Sequence, residues 1–326
     1  MKTEEYGNFE EKGDIFHNGG VKICFNVDQM FDLLENLIKR EDFIFRGCPE
    51  AKYKIYNSAQ RYYIGNELYK QVKAEDMNKH YTEFISNLIE ECKNWNNSTV
   101  SNLLLNSGIN GNNCIPYLSF MQHYGVPTPL IDFTYDPYVA LFFAIDGETY
   151  KPSDVEIDNY FSLYYTFQSM GAFAGWQATF DEKFKNNALT YDELSYNEMQ
   201  ILTPKRAELG IINNTNIINQ KGLFFYNNDP TLPLEENYLE FIQYLKKEMG
   251  EDKMKEFAIT ETLLNCINFH KSLIPYIKKK LDDLGITREY IYPDFYRMKD
   301  KALTSASIKA LNTLVHVSDE KPFWEV

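Results

Sequence analysis

The sequence predicts an α+β fold, in which one domain contains a mixed or split β-sheet with flanking helices. Segments with helical periodicity and segments with strand composition succeed one another along the 326 residues. No internal repeat or low-complexity linker interrupts them. Hydrophobic residues make up 44% of the chain and aromatic residues 15%, which is enough apolar surface for a large core. These observations favour one domain over two.

The first predicted elements are a helix over residues 27–39 and a strand over 42–47. Asp28 is the predicted N-cap of the helix, whose apolar residues recur on one face. In the strand, DFIFRG, side chains alternate between two faces, so Arg46 projects near its end beside Gly47.

A long helix is predicted next, over residues 66–95, with an interruption near Glu75. Its apolar residues recur at spacings of three, four and seven. The polar stretch that follows, 96–113, has turn residues at both ends and predicts a loop with a short helix inside it.

The strongest local signals lie between residues 114 and 146. The segment 114–125 is predicted to be a helix that ends at a glycine, and VPTP is a turn. LIDFT, residues 130–134, is a predicted strand, and Asp136 caps a helix that has Pro137 in its first turn.

Further strands are predicted over 159–167 and 220–227 from their aromatic-rich composition. Helices are predicted over 234–249 and 272–284. Residues 170–215 carry no clear pattern and are left unassigned.

Charge and cysteine content narrow the function classes. The chain has 33 basic and 47 acidic residues, a net charge of −14, so its surface repels phosphate backbones and non-specific nucleic-acid binding is disfavoured, although a local basic pocket stays possible. The five cysteines are widely spaced with no C-x-x-C pair, which predicts reduced packing residues. We see neither a signal peptide nor a membrane-spanning run, and therefore expect a cytoplasmic protein.

Four segments form a recurrent set: the Phe-Arg-Gly triplet at 45–47, QHYGVPTPLIDFTYDPYVALFFA at 122–144, QKGLF at 220–224 and GITREYIYPDF at 285–295. Together they resemble the FRG-domain family, which takes its name from the triplet. The second segment matches the family pattern over almost its whole length, so the resemblance is specific.

The resemblance implies an FRG domain over about residues 25–300, preceded by an N-terminal arm at 1–24 and followed by a helical tail at 301–326. Two departures stand out. Pro129 and Asn216 occupy positions where the family commonly has arginine. If those arginines hold a phosphate in relatives, this chain binds the ligand differently or not at all.

The order of these parts is similar to that in ADP-ribosyltransferases, which implies NAD as co-substrate and no metal. On this mapping Arg46 binds the NAD pyrophosphate, Thr134 braces the first strand and the ribose, and Gln220 hydrogen-bonds the ribose hydroxyls. Because an amide cannot carry negative charge, the mapping also calls for a carboxylate, with Asp132 and Glu208 as candidates.

Other residues of the same segments are expected to contact the cofactor. Gly47 and His123 adjoin the predicted pocket, and Tyr124 or Phe133 can stack on nicotinamide. The family's association with bacterial antiviral defence implies a toxic effector that modifies a protein or a nucleic acid.

Each of these residues also has a structural interpretation. Arg46 can pair with a buried carboxylate such as Asp132. Thr134 is favoured as a turn residue or N-cap, and His123 as the residue that closes its helix.

Two functions of other classes also stay open. A metal-dependent hydrolase would use His123, Asp132 and Asp136, although their spacings fit no standard site. A non-catalytic module that senses a ligand or protein would use the Arg46 pocket as its binding site. All the ligand-binding interpretations predict that Arg46, Asp132, Thr134 and Gln220 meet in one cleft.

Overall fold

A seven-stranded β-sheet organises the part of the chain that the computed structural model describes, namely residues 5–16, 21–109, 111–167, 190–195, 199–202, 215–256, 264–293 and 302–309. The strands are β1 Val21–Cys24, β2 Phe43–Cys48, β3 Leu130–Thr134, β4 Tyr160–Phe167, β5 Met199–Leu202, β6 Gly222–Asn227 and β7 Leu264–His270. Their order in the sheet is β1-β7-β4-β2-β3-β6-β5. Only the β1–β7 pair of these strands is parallel, so the sheet is mixed and the predicted α+β class is confirmed.

Helices flank the sheet. They are α1 Phe9–Ile15, α2 Val27–Ile38, α3 Ser58–Gly65, α4 Met77–Asn106, α5 Cys114–His123, α6 Pro137–Ile145, α7 Tyr191–Ser195, α8 Leu234–Met249, α9 Glu251–Glu256, α10 Ile274–Asp283 and α11 Arg288–Ile291. Residues 302–309, in the predicted C-terminal tail, are helical and exposed.

The sheet is split between β2 and β3. Strand β2 pairs with β4 through all six of its residues, from Phe43 to Cys48. With β3 it shares one register pair, Phe45 with Thr134. The ladder stops there, so the residues of β2 after Phe45 and those of β3 before Thr134 border an opening in the sheet.

Alternation along the strands divides the core. Phe43 and Phe45 of β2 pack on one face in a cluster with α2, α6 and α10, whereas Ile44 packs on the other face with α8. A third cluster joins α3, α4 and α5 to β3 and β6, with Leu130, Phe224 and Tyr226 as its strand residues. The opening between β2 and β3 lies where these clusters meet.

Gly47 allows β2 to approach α6 closely. A Cβ atom at this position would lie 1.8 Å from the backbone oxygen of Ala140 and 2.9 Å from the backbone nitrogen of Ala144. Contacts this short are not tolerated between real atoms, and both partners are helix backbone. The packing of the sheet on α6 therefore requires glycine here.

The predicted N-terminal arm contributes α1 and β1 to the fold. Lys12 of α1 is completely buried and donates hydrogen bonds to the Ala51 carbonyl, Ser162 Oγ and Asn268 Oδ1 at 2.7–2.9 Å. Three acceptors match the three donors of an ammonium group, which explains how the charge is accommodated inside the protein.

One cap prediction needs correction. The N-cap of α2 is Asn26, not Asp28, because Asn26 Oδ1 accepts hydrogen bonds from the backbone amides of Asp28 and Gln29. The segment 96–113, predicted as a loop with a short helix inside it, agrees with the structure, because α4 consists of two helical segments joined by a kink and the second one ends at Asn106. The kink lies at Trp95–Ser98, where asparagines and a serine adopt positive φ.

The early part of the helix predicted over 66–95 is also different. Residues Leu68–Gln71 and Ala74–Asp76 form short 3₁₀ turns, and the α-helix starts at Met77. The sequence pattern located the interruption near Glu75 correctly but not its extent. By contrast, the strand over 130–134 and the helix over 234–249 have the predicted boundaries.

Candidate functional site

A cleft of about 370 Å³ occupies the opening between β2 and β3. Both strands contribute to its lining, together with the C-terminal end of α5, the turn before β6 and the residue after α11. The polar residues along it include Arg46, Gln122, His123, Asp132, Thr134, Asn216 and Gln220. The four residues predicted to meet in one cleft, Arg46, Asp132, Thr134 and Gln220, all line it, while their roles stay predictions.

Arg46 reaches across the opening from β2 to β3. Its Nη1 donates a hydrogen bond to the backbone carbonyl of Asp132 at 2.7 Å. The interrupted ladder leaves this carbonyl without a strand partner, and the guanidinium supplies one. Among the described residues, no ion pair includes Arg46. A guanidinium has five N–H donors, so Arg46 retains the capacity to bind an anion in the cleft.

Asp132 is held in place by a chain of hydrogen bonds. Gln122 Nε2 donates to Asp132 Oδ2 at 2.9 Å, and the Thr128 hydroxyl donates to Gln122 Oε1. Thr128 is buried, and its backbone amide donates to Ser58 Oγ at 2.9 Å. The carboxylate is therefore oriented from α3 and α5 before any ligand arrives.

The environment of Asp132 disfavours its charge. The carboxyl is accessible to solvent from the cleft but is surrounded by protein on its other sides. This burial raises the pKa of Asp132 above its ordinary value, and the charge of Arg46 and the bond from Gln122 offset part of the effect. A carboxyl with a raised pKa beside a cation, inside a cleft, is typical of functional sites.

Thr134 connects the end of β3 to the turn before β6. Its hydroxyl donates to the backbone carbonyl of Gln220 at 2.8 Å and accepts from the backbone amide of Asp136 at 3.1 Å. The side chain is 2% exposed. This geometry supports the favoured interpretation of Thr134 as a turn residue, although the N-cap of α6 is Asp136.

Replacing Thr134 by Val should destabilise the protein by about 1–3 kcal/mol, because the Gln220 carbonyl and the Asp136 amide would lose their partner inside the fold. Thr134→Ser keeps the hydroxyl and should lose less. Urea denaturation of the two variants measures the difference. A Thr134→Val protein that is fully stable but inactive would instead assign the hydroxyl to catalysis.

Gln220 presents its side chain to the cleft from the turn before β6. Its Nε2 donates to the backbone carbonyl of Ile291 at 3.4 Å, which ties this turn to the segment after α11.

His123 is the last residue of α5 and also lines the cleft. Its ring packs edge-on against the ring of Tyr124, with a distance of 4.9 Å between the ring centroids. Glu208, the other candidate carboxylate, lies outside the described residues.

Three other residues predicted to contact the cofactor have clear structural contacts, and their cofactor roles stay predictions. Phe133 is among the residues that line the cleft, but it is 3% exposed and its ring packs against Phe225. Tyr124 is not among the lining residues; it is 66% exposed and its ring packs on Phe120. Gly47 borders the cleft, but the packing of α6 explains why it is glycine.

The proposed metal ligands do not come together. Asp136 caps α6 and pairs with Lys221 at 2.7 Å, away from the carboxyl of Asp132. Within the described ranges, no group of three or more His, Cys, Asp or Glu side chains could hold a metal ion. The structure thus offers no support for the hydrolase alternative.

Two residues of the site were not identified from the sequence. Gln122 orients Asp132, and Tyr292 lines the cleft. Both lie inside segments that carry the family resemblance, Gln122 at the start of QHYG and Tyr292 in the closing segment. Their position in those motifs was the sequence feature that could have identified them as site residues.

Comparisons with known proteins identify one family. A family model of the FRG domain matches residues 41–152, which include β2, β3, α6 and the Gln122–Asp132 pair. No curated protein and no solved structure gave a significant match to the chain. In the part of the chain that the structure describes, we find no helix with the length and apolar character that a membrane span requires. The chain therefore contains an FRG domain at residues 41–152, which confirms the predicted resemblance over that segment.

Proposed function

We propose that the cleft binds NAD and that the protein is an ADP-ribosyltransferase-like enzyme. The observation that carries this proposal is the placement of Arg46 and Asp132 on the two strands that border the split in the sheet. A cation that can bind a pyrophosphate and a preoriented carboxylate are the two charged groups that cleavage of NAD requires.

The two side chains have different tasks in this reaction. The guanidinium of Arg46 binds the pyrophosphate oxygens. When the bond between ribose C1′ and nicotinamide breaks, nicotinamide leaves with the electron pair and positive charge develops on the ribose. Asp132 in its ionised form stabilises that charge. The acceptor then attacks C1′ and releases a proton to a base.

Gln220 and Thr134 support this arrangement without carrying charge. The Gln220 amide lies at the edge of the cleft, where it can hydrogen-bond ribose hydroxyls. Thr134 holds the backbone of Gln220 in position. In this proposal Thr134 is therefore a positioning residue, and Asp132 provides the carboxylate that stabilises the developing charge.

A non-catalytic binding module is the second candidate, and one observation favours it. Asn216 lines the cleft at a position where the family commonly has arginine, and Pro129 replaces a second arginine. A volume of about 370 Å³ also lies near the small end of the range for ligand sites. Both features suit a ligand smaller or less charged than a dinucleotide.

Nicotinamide release from labelled NAD, in the presence of a cell lysate as acceptor source, distinguishes the two functions. Arg46→Lys should reduce release by about tenfold or more, because an ammonium cannot bind a pyrophosphate bidentately. Arg40→Lys is the matched control, since Arg40 is exposed and pairs with Asp42 outside the cleft. A Glu208→Gln variant tests the other candidate carboxylate.

Each possible result of this experiment supports a different function of the cleft. Release that the cleft variants reduce and the Arg40 control retains supports the transferase. If the wild-type protein neither binds NAD nor releases nicotinamide, the binding module replaces it. A drop in melting temperature of Arg46→Lys equivalent to several kcal/mol would assign Arg46 to the scaffold, where it satisfies the Asp132 carbonyl.

We extend the proposal to an effector of bacterial antiviral defence whose acceptor is a protein or a nucleic acid. A transferase of this kind would arrest the cell that makes it. Induced expression of the wild type should therefore inhibit growth, and expression of a protein with an inactivated cleft should not. Equal growth of both would contradict the toxic role.

A further inference from the structure

Tyr292 lines the cleft and is 38% exposed, whereas Phe133, which also lines it, is only 3% exposed and Tyr124 is not among the lining residues. Phe143 lines the cleft too, and its ring packs against the ring of Tyr292. From this placement we infer that Tyr292 stacks on a planar ring of the ligand, so that the cleft selects phosphates that carry a nitrogen heterocycle over simple sugar phosphates. This inference rests on the proposed ligand site. The experiment below distinguishes failure of the stacking role from failure of the ligand site.

The backbone before Tyr292 is tied to the site. Asn219 Nδ2 donates to the Tyr290 carbonyl at 2.8 Å, and Gln220 Nε2 donates to the Ile291 carbonyl at 3.4 Å. Both donors belong to the turn before β6, and the Gln220 carbonyl of this turn accepts a hydrogen bond from the Thr134 hydroxyl. The position of Tyr292 is therefore coupled to the same turn that presents Gln220 to the cleft.

The ring of Tyr292 is supported on several sides. The rings of Phe142 and Phe143 lie at centroid distances of 6.2 Å. The Arg288 guanidinium lies 5.4 Å from the ring centroid and pairs with Asp146 at 2.6 Å. An aromatic side chain that is held by neighbouring rings and a cation loses little freedom when a ligand binds.

Tyr292 also lies close enough to Asp132 for their charges to interact. Burial raises the pKa of the Tyr292 hydroxyl, the nearby Asp146 carboxylate raises it further, Arg288 offsets part of the rise, and Asp132 adds a smaller rise. The phenol therefore stays neutral, with an intact ring face, in the cleft that contains Asp132 and Arg46. Within the described residues the cleft thus combines an anion-binding group with an aromatic surface.

The guanidinium of Arg46 and the ring of Tyr292 recognise different parts of one ligand. Arg46 binds phosphate in any ligand that has one, whereas a tyrosine ring stacks on nicotinamide or a nucleobase and has nothing to stack on in a sugar phosphate. Stacking of a base on an aromatic side chain commonly changes affinity by about tenfold or more.

Calorimetric titration with nicotinamide mononucleotide, AMP and ribose 5-phosphate tests the inference. Tyr292→Leu should weaken binding of at least one of the two nucleotides by about tenfold or more and change ribose 5-phosphate binding by less than about twofold. Tyr292→Phe keeps the ring and should bind like the wild type. Tyr276→Leu is the control, because Tyr276 is an exposed tyrosine on α10.

Each outcome assigns the result to one hypothesis. If nucleotide and ribose 5-phosphate binding weaken equally, or if Tyr292→Leu binds as well as the wild type, the stacking role is overturned while the ligand site stands. If AMP binds in a Tyr292-dependent way but NAD is not cleaved, stacking stands and the transferase fails. If the wild type binds no ring-bearing phosphate, both fail.

Discussion

Replacing Asp132 by Asn should reduce nicotinamide release by about 100- to 1000-fold without lowering the stability of the protein. The loss follows because an amide cannot stabilise positive charge on the ribose. Asparagine nevertheless keeps an oxygen that accepts the hydrogen bond from Gln122 Nε2, so the local geometry is retained. Kinetics of NAD cleavage and thermal unfolding of the same samples measure both quantities.

The stability part of this prediction follows from the direction of the pKa shift. Burial raises the pKa of Asp132 in the folded protein above its value in the unfolded chain. Between these two values the folded state binds more protons, so the free energy of unfolding falls as the pH rises through that window. Asp132→Asn removes this term and should be as stable as the wild type at neutral pH, or more stable.

The opposite result would change the assignment of Asp132. If Asp132→Asn unfolds several degrees earlier at neutral pH, the carboxylate contributes to the scaffold, as a structural partner of Gln122 and Arg46. Gln122→Leu, which removes the donor to Asp132, provides an independent check. It should reduce activity less than Asp132→Asn, because the carboxylate remains present but is no longer oriented.

Gly47→Ala should destabilise the protein by about 4 kcal/mol or more, or prevent folding. The added Cβ would lie 1.8 Å from the Ala140 oxygen and 2.8 Å from the Ala140 carbonyl carbon, and both are backbone atoms of α6 that cannot rotate away. Either α6 or β2 must move, and the cleft beside them would change shape. Chemical denaturation of the purified variant measures the loss.

Gly65→Ala is the matched control for this experiment. Gly65 is the last residue of α3, and apart from its chain neighbours and the backbone of its own helix, no described atom lies within 4 Å of the position that its Cβ would take. Alanine there should be neutral or stabilise by up to about 1 kcal/mol, because it restricts the unfolded chain. If Gly47→Ala is as stable as Gly65→Ala, the close approach of β2 to α6 is wrong.

The predictions for Asp132 and Gly47 also distinguish a functional role from a structural role within the Phe-Arg-Gly triplet. Phe45 packs in the core and pairs in register with Thr134 at the point where the ladder ends. Gly47 permits the contact with α6, and Arg46 alone has donors directed into the cleft. We therefore expect the triplet to combine one functional residue with two structural ones.

Much of the local structure could be predicted from the sequence, because caps, turns and apolar periodicity act over a few residues. Pro137 after Asp136 and the alternation of LIDFT determined the boundaries of α6 and β3. The failures were also local. At Asn26 and Asp28, two residues of similar capping strength competed, and before Met77 two 3₁₀ turns occupy residues where apolar periodicity predicted the start of a long helix.

The sequence by itself predicted the FRG domain, a mixed or split sheet and the meeting of Arg46, Asp132, Thr134 and Gln220 in one cleft. Only the tertiary structure decided what each side chain does there, since that depends on contacts between residues far apart in the chain. The Thr134 hydroxyl donates to the Gln220 carbonyl in the turn before β6, and alternation along β3 places Phe133 in a core cluster. Tyr292 became part of the cleft because α11 packs beside α6, a long-range contact that no spacing in the sequence records.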